Sequence, residues 1–423
     1  MTVIFHIDVN SAYLSWSAAE KLRRGETLDL RTVPAIIGGD EKSRHGVVLA
    51  KSSPAKAYGI RTGEPVAAAL RKCPFLVMEP PDHALYRKRS RELMDFLSTY
   101  TSDLEQLSVD ECFMDFGPIS HRFSSPLEAA LQIKDRVREQ MGFTVNIGIS
   151  TNRLLAKMAS DFEKPDRVHT LFPDEIQEKM WPLPVDELYM VGHSSALRLH
   201  ALGIHTIGDL ARSDRSFLVS QFKSHGKQMW EYANGIASDV LQTGDQSVKG
   251  IGNSTTLSRD AKTREEARLV LLELSETVSR RLRKAGLTAL SVTVEIKYSD
   301  FTSTSHQCPV SAPVNSSQAL CQTACRLFDE LWNGDPIRLL GIRTGKLQDE
   351  AAPVQLSLFD MNLLSPEPEK SPEPSHPAPP SLEKQKKLEA AMDSIRKRYG
   401  DQAVMRGSFL KSPLEEKHPE EKG

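Results

Sequence analysis

Over its first 165 residues the chain alternates short β-forming runs with helical stretches, and that alternation restricts this part to an α/β layer architecture. Thr2 to Ile7 is a β-rich run ending at Asp8. Ser11 to Arg24 follows as a helix, with Asn10 as its N-cap and Gly25 closing it. A second β-rich run, Leu107 to Phe116, contains Ser108-Val109-Asp110-Glu111. A third, Phe143 to Ile149, leads into a helix from Asn152 to Phe162.

The texture then changes twice. From Leu183 to Ala211 the pattern is short and helical, with Gly192, Gly203 and Gly208 marking turns, which reads as a small helical module. After Gly244, Thr263-Arg264-Glu265-Glu266 has the form of a capping box opening a long helix to Lys284. Leu290 to Tyr298 alternates like a strand, so an α+β domain is expected to end near Lys346. Beyond Leu347 the core-forming pattern is lost, and Ser365 to Ser381 is dominated by Pro, Glu, Ser and Lys, a composition that stays solvated and extended. Leu388, Met392 and Ile395 recur at helical spacing within Leu382 to Tyr399, but nothing in the sequence names what that helix packs on. A length of 423 residues accommodates roughly two to four such domains.

Composition excludes little. A formal charge of -2 and a pI near 6.7 mean that any nucleic-acid surface must be local. Met1 to Asp8 has no basic leader, and apolar stretches such as Gly46 to Ala50 are too short to span a bilayer, so a cytosolic protein without a membrane partner is expected. Five cysteines, an odd number without a CxxC, suggest reduced core thiols rather than a disulfide framework or zinc ribbon; Cys321 and Cys325, four apart with His306 and Cys308 nearby, match no standard metal spacing.

Three acids stand out. Asp8 at the end of one strand and Asp110 with Glu111 on another are the oxygen ligands that two-metal phosphoryl transfer requires. Taken alone, such a set is more often ordinary surface acid at strand ends. On a regular strand Asp110 and Glu111 face opposite ways, so they converge only if the strand bends or ends there. The flanking words change the weighing. His6-Ile7-Asp8-Val9-Asn10-Ser11-Ala12-Tyr13, Ala50-Lys51-Ser52-Ser53-Pro54-Ala55-Lys56-Ala57-Tyr58-Gly59-Ile60, Ser108-Val109-Asp110-Glu111, and Ile149-Ser150-Thr151-Asn152-Arg153 with Ala156-Lys157-Met158-Ala159-Ser160 and Lys164-Pro165 resemble, in order and separation, the successive motifs of Y-family DNA polymerases. The resemblance runs to about residue 346 and points to the bacterial polymerase IV branch, with Asp8-Val9-Asn10 and Lys56-Ala57-Tyr58-Gly59 also similar to the polymerase V catalytic subunit.

What the resemblance implies is a right-hand polymerase with α/β and α+β domains: palm and fingers over 1–165 (fingers about 20–75), a helical thumb with a helix-hairpin-helix over 166–240, a little finger over 245–347, and a flexible tail over 348–423. It implies low-fidelity, template-directed DNA synthesis past lesions by a monomer acting on primer-template DNA and deoxynucleoside triphosphates (dNTPs). Asp8, Asp110, Glu111 and the Val9 carbonyl would hold two Mg²⁺ ions. Ser11, Ala12, Tyr13, Ser53, Lys56 and Lys164 would meet the nucleotide, and Tyr13 would be the steric gate against a 2′-OH. Ser53 and Lys56 stand where the family often has Tyr and Arg, and a lysine lacks the arginine's bidentate fork. Gly192 would grip DNA phosphate through backbone amides, although Met190 and His193 replace the family's glycine and lysine. Arg280, Arg281, Arg283 and Lys284, with Lys249, Arg259 and Lys297, would line a DNA groove, or else serve as solvated charges, those at the helix end complementing its dipole. Gln355-Leu356-Ser357-Leu358-Phe359 resembles the motif by which bacterial replication proteins bind the sliding clamp; apolar residues in a solvated segment need a partner to bury them. Two other classes remain: a non-catalytic DNA- and clamp-binding recruiter, and a template-independent nucleotidyl transferase.

Overall fold

In the computed structural model the described residues are 2–39, 46–242, 244, 248–352, 382–400, 403, 404, 406 and 407. They fall into two units, Met1–Gln246 and Ser247–Gly423. The first unit begins with β1 (Ile4–Val9), α1 (Ala12–Arg23), β2 (Ala35–Gly38), β3 (Val48–Lys51), α2 (Ser53–Ala57), α3 (Val66–Lys72), β4 (Val77–Glu79) and α4 (His83–Ser98). It continues through β5 (Leu104–Gln106), β6 (Glu111–Asp115), α5 (Pro126–Met141), β7 (Val145–Ser150), α6 (Arg153–Asp161) and β8 (Val168–Thr170). Four short helices follow: α7 (His193–Ala201), α8 (Ile207–Arg212), α9 (Arg215–Phe222) and α10 (Ser224–Ala233).

The central sheet has the order β5-β6-β1-β7-β8, so β1 lies in the middle and is buried along its whole length. Strand periodicity divides its side chains cleanly. Phe5 and Ile7, with Cys112, Met114 and Ile147 of the neighbouring strands, join Leu14 and Trp16 of α1, Leu93 and Leu97 of α4 and Ile133 and Val137 of α5 in one large core. Ile4 and Phe113, on the other face, meet Ala156 of α6. Register places His6 opposite Gly148 and Asp8 opposite both Asn146 and Glu111. That face is therefore polar as well as apolar. Gly148 makes the close seating of α6 possible: a Cβ there would lie 1.9 Å from the Ala156 carbonyl oxygen and 2.5 Å from the Ser160 nitrogen.

A three-stranded sheet of order β3-β2-β4 closes a small second core around Ile36, Val48, Ile60, Val66 and Leu76. The helices α7 to α10 gather around Leu199, Ile207, Leu218 and Met229, and Leu155 and Met158 of α6 complete that cluster.

The second unit consists of β9 (Gly250–Ala261), α11 (Arg264–Lys284), β10 (Leu287–Tyr298), β11 (Ser303–Val314), α12 (Ser317–Leu331), β12 (Ile337–Asp349) and α13 (Leu382–Tyr399). Its sheet runs β11-β10-β12-β9. Thr263 and Glu266 make the reciprocal capping box that starts α11. Val292, Val294 and Ile296 of β10 and Leu340 and Ile342 of β12 point into the core beneath α11 and α12. The alternating residues, Thr293 and Glu295 with Gly341 and Arg343, take the other face, which helps form an open trough of about 820 Å³ with Gly252, Asn253 and Ser305. The chain from 348 on was expected to be a flexible tail; within it, α13 is a helix carried on this unit, held by side-chain contacts that include those of Glu389.

Candidate active site

The site grows from the point where β1 runs out. Val9 donates its N–H to the Asp110 carbonyl at 3.0 Å, and the next residues turn into α1 through Ser11, whose φ of 48° is left-handed. Helix α1 thus starts beside the end of the central strand with its first-turn N–H groups free of helical partners. The N-cap is Ser11, not Asn10. Asn10 instead ties β1 to its surroundings, donating to Asn146 Oδ1 at 3.0 Å and accepting from Thr144 Oγ1 at 2.9 Å and the Asp166 N–H at 3.0 Å.

β6 begins at Glu111, so Asp110 belongs to the turn before it. Ser108 builds that turn: its hydroxyl donates to Asp110 Oδ1 at 2.6 Å and accepts the Glu111 N–H at 3.1 Å. The strand boundary thus frees the two acids from strict alternation. Asp8 and Asp110 line one cleft of about 550 Å³ together with Val9, Ser11, Ala12, Tyr13, Lys51, Ser53, Lys56, Thr62 and Lys164. All the nucleotide-site residues expected from sequence are in this set.

Glu111, opposite Asp8 across the sheet, has a cation of its own. Its carboxylate takes an ion pair from Lys157 at 2.8 Å and lies 3.8 Å from His6 Nε2, and it does not line the cleft. Among the described residues no three acidic, histidine or cysteine side chains gather closely enough to hold a metal, Cys321 and Cys325 included, although their sulfurs are 3.9 Å apart.

Electrostatics separate the two strand acids. Burial pushes the Asp8 carboxyl up to about 6, against the opposing pull of Lys164, whose Nζ is 2.5 Å away. Burial also acts on Glu111, but the neighbouring His6 and the hydrogen bond and charge of Lys157 outweigh it and hold that acid down at about 2. His6 itself, fully buried and bonded through Nδ1 to Ser160 Oγ at 2.7 Å, is shifted down by burial. Lys51 is lowered by burial and by the like charge of Lys56. Sequence reading gave no role to Lys51, Lys157 or His6. Lys157 lies on α6 and Lys164 three residues past its end, so no helical spacing in the sequence links the two.

Tyr13 is half-buried at the cleft wall, and its ring lies flat on Tyr86, 4.3 Å between centroids and 6° from parallel. It is both a packed helix aromatic and a surface of the cleft. Gly192 caps α7, and Met190 just before it adopts a φ of 73°, the left-handed conformation that glycine takes most easily.

The basic set on the second unit divides. Arg283, expected at a DNA groove, is taken up instead by Glu389 at 2.9 Å and Asp393 at 2.8 Å. Arg281 donates to the Gly252 carbonyl at 2.8 Å and Arg259 pairs with Glu266 at 2.6 Å, while Lys284 and Lys249 are exposed. Arg280 through Lys284 sit on α11, in the helical layer across the sheet from the polar trough. Residues 355–359 lie outside the described part of the chain.

Comparison with known proteins agrees with this geometry. Residues 7–161 match the impB/mucB/samB family, residues 248–358 that family's C-terminal domain, and residues 173–204 its HHH motif. The DNA polymerase IV of Clostridium acetobutylicum is 47% identical over 408 residues, covering 96% of this chain and 98% of that protein. DNA polymerase IV 1 of Bacillus subtilis is 34% identical over 411 residues, covering 97% and 93%. Among solved structures, a chimera of the Y-family DNA polymerases Dbh and Dpo4 is similar with a TM-score of 0.69 at 21% identity, over 82% of this chain and 99% of that one. A Dbh ternary complex is similar with a TM-score of 0.56 at 20% identity, over 81% and 98%. The chain belongs to the Y-family DNA polymerases of the bacterial polymerase IV type, with their right-hand fold, and is a DNA-directed DNA polymerase of translesion synthesis.

Proposed function

We propose that the cleft at the end of β1 is the nucleotidyl-transfer site, in which Asp8, Asp110 and Glu111, with the Val9 carbonyl, hold two Mg²⁺ ions. The observation that carries this reading is the placing of Asp8, Asp110 and Lys164 in one cleft with the start of α1. The donors are all hard oxygens, the kind Mg²⁺ prefers. Asp8 is buried at the cost of its ionisation, and a divalent cation relieves that cost. When bound, such ions activate a primer 3′-OH and neutralise charge on a leaving pyrophosphate. Glu111 joins the set by exchanging its ion pair with Lys157.

The remaining groups of the cleft suit a dNTP. Lys164 and Lys56 supply positive charge to a triphosphate, and Ala12 and Tyr13, in the first turn of α1, line the same space. Ser53 offers a hydroxyl. Tyr13, braced against Tyr86, forms a rigid wall under the sugar, where a 2′-OH would collide with it. The ranges 1–165, 166–240 and 245–347 are then palm with fingers, thumb and little finger. Primer-template DNA contacts the backbone amides near Gly192 and the polar trough of the second unit, where Arg343 is the cation at hand. Arg281 and Lys284, with Arg280, stay as secondary contacts at the helix end. Residues 355–359 bind a sliding clamp, and the protein works as a monomer in the cytoplasm.

Primer extension by the purified chain with Mg²⁺ and four dNTPs, beside Asp110→Asn, tests the site. Loss of at least about a thousandfold in rate with DNA binding retained is expected. Extension that survives the substitution overturns the assignment. Extension without a template strand would support the template-independent class instead.

A further inference from the structure

The C-terminal helix has a seat built for it. On one face of α13, Glu389, Asp393 and Arg396 follow at steps of four and three residues, and on α11 Glu276, Ser279 and Arg283 follow at steps of three and four. The charges cross in antiparallel order. Glu389 and Asp393 both take Arg283, at 2.9 and 2.8 Å, while Arg396, at 3.2 Å, and Arg406 both take Glu276. Arg283 is further fixed by Ser279 and by the Asn315 carbonyl at 3.2 Å.

Glu389 does more than pair. Its side chain is 7% exposed, and its Oε1 accepts the Ser317 N–H at 2.9 Å and the Ser317 hydroxyl at 2.5 Å. Ser317 opens α12, whose N-cap Ser316 already serves the Ala319 N–H. A carboxylate from a segment 72 residues away thus satisfies a first-turn donor and meets the positive end of that helix. Arg406 donates to the same Ser317 hydroxyl at 3.2 Å, so residues beyond α13 return to the seat. By contrast, Leu388, Ile395 and Tyr399 remain 60%, 39% and 67% exposed. Of that apolar row only Met392 is partly buried, beside Glu276 and Arg283, so among the described side chains charge more than apolar burial holds this helix. Desolvated charge pairs add little net stability but penalise every wrong register, since a shift leaves a buried charge alone.

We propose that α13 with Arg406 is a terminal clasp of the second unit, docked in one register by crossed ion pairs, capping α12 through Glu389, and releasable while the sheet beneath stays folded. Arg283 is then the anchor of the clasp, not a phosphate contact, and release returns it to solvent.

Amide hydrogen exchange of the full chain tests this, comparing the wild type with Glu389→Gln, Arg283→Met, the double variant, and Lys387→Ala on the exposed side. In the wild type, α13 and the first turn of α12 should be protected together. Glu389→Gln and Arg283→Met should each lower that protection about 10- to 100-fold, the double variant no further than the worse single one, and Lys387→Ala not at all. Protection in β10 should not change in any of them. Unprotected α13 amides in the wild type, or no effect of Glu389→Gln, overturn the clasp. Loss of β10 protection along with α13 overturns its separate release and makes the helix part of the core.

Discussion

At the scale of single residues, the site stores electrostatic strain in one acid and spends none on the other. The Asp8 carboxyl is raised from 3.8 to about 6 by burial, so folding favours its protonated form. That contribution to stability is present below pH 4 and is lost as pH rises to about 6; above that the metal-free protein carries a buried charge. Asp8→Asn removes the charge, and Lys164 keeps Asp161 at 2.8 Å as a partner. Calorimetry without metal should show the variant more stable by up to about 2 kcal/mol at pH 8, with the gain gone at pH 4, while extension is abolished. Glu111 has the opposite sign: its depressed carboxyl stabilises above its usual range and loses that only as pH falls toward 2. Tyr13→Ala should raise ribonucleotide incorporation about 10- to 100-fold over wild type, read by extension with ribonucleoside triphosphates, because only the ring opposes a 2′-OH there. Unchanged discrimination would leave Tyr13 as packing against Tyr86 alone.

At the scale of elements, the position of α6 decides where the lysines lie. The helix lies against the β1 and β7 face because Gly148 has no side chain, and it carries Lys157 toward Glu111 and leads on to Lys164 beside Asp8. Gly148→Ala would place a methyl group inside the backbone of α6. Urea unfolding should show a loss of about 2 to 4 kcal/mol, and extension should fall even where the variant stays folded, as Lys157 moves with its helix and Lys164 with the segment that follows it. Stability and activity both equal to wild type would show that α6 shifts freely.

At the scale of the whole molecule, the two units carry distinct chemistry: acids, lysines and the proposed nucleotide cleft on the first, and a polar trough over a helix-backed sheet on the second. The chain leaves the second unit's sheet at Asp349 and rejoins the same unit in α13, so the proposed clamp segment is flanked on both sides by one body. Joint replacement of Leu358 and Phe359 by alanine should abolish stimulation of extension by an added sliding clamp and leave clamp-free extension at the wild-type rate. Stimulation that persists would assign clamp contact elsewhere.

Much of this protein was legible in its sequence because the deciding interactions are local. Strand runs, the start of α6 near Asn152 and the capping box at Thr263 follow from neighbours a few residues apart, and the motif words around Asp8, Asp110 and Lys164 mark the cleft. Asn10 was misread as a cap because its true partners, Asn146, Thr144 and Asp166, lie more than a hundred residues away. The turn that ends at Glu111 could be asked for by sequence but not shown. Three things belonged to tertiary structure alone: that Lys157 pairs with Glu111, that burial raises Asp8, and that Arg283 is claimed by Glu389 and Asp393. Each depends on which distant charges share a low-dielectric space, and composition and periodicity carry no information about that.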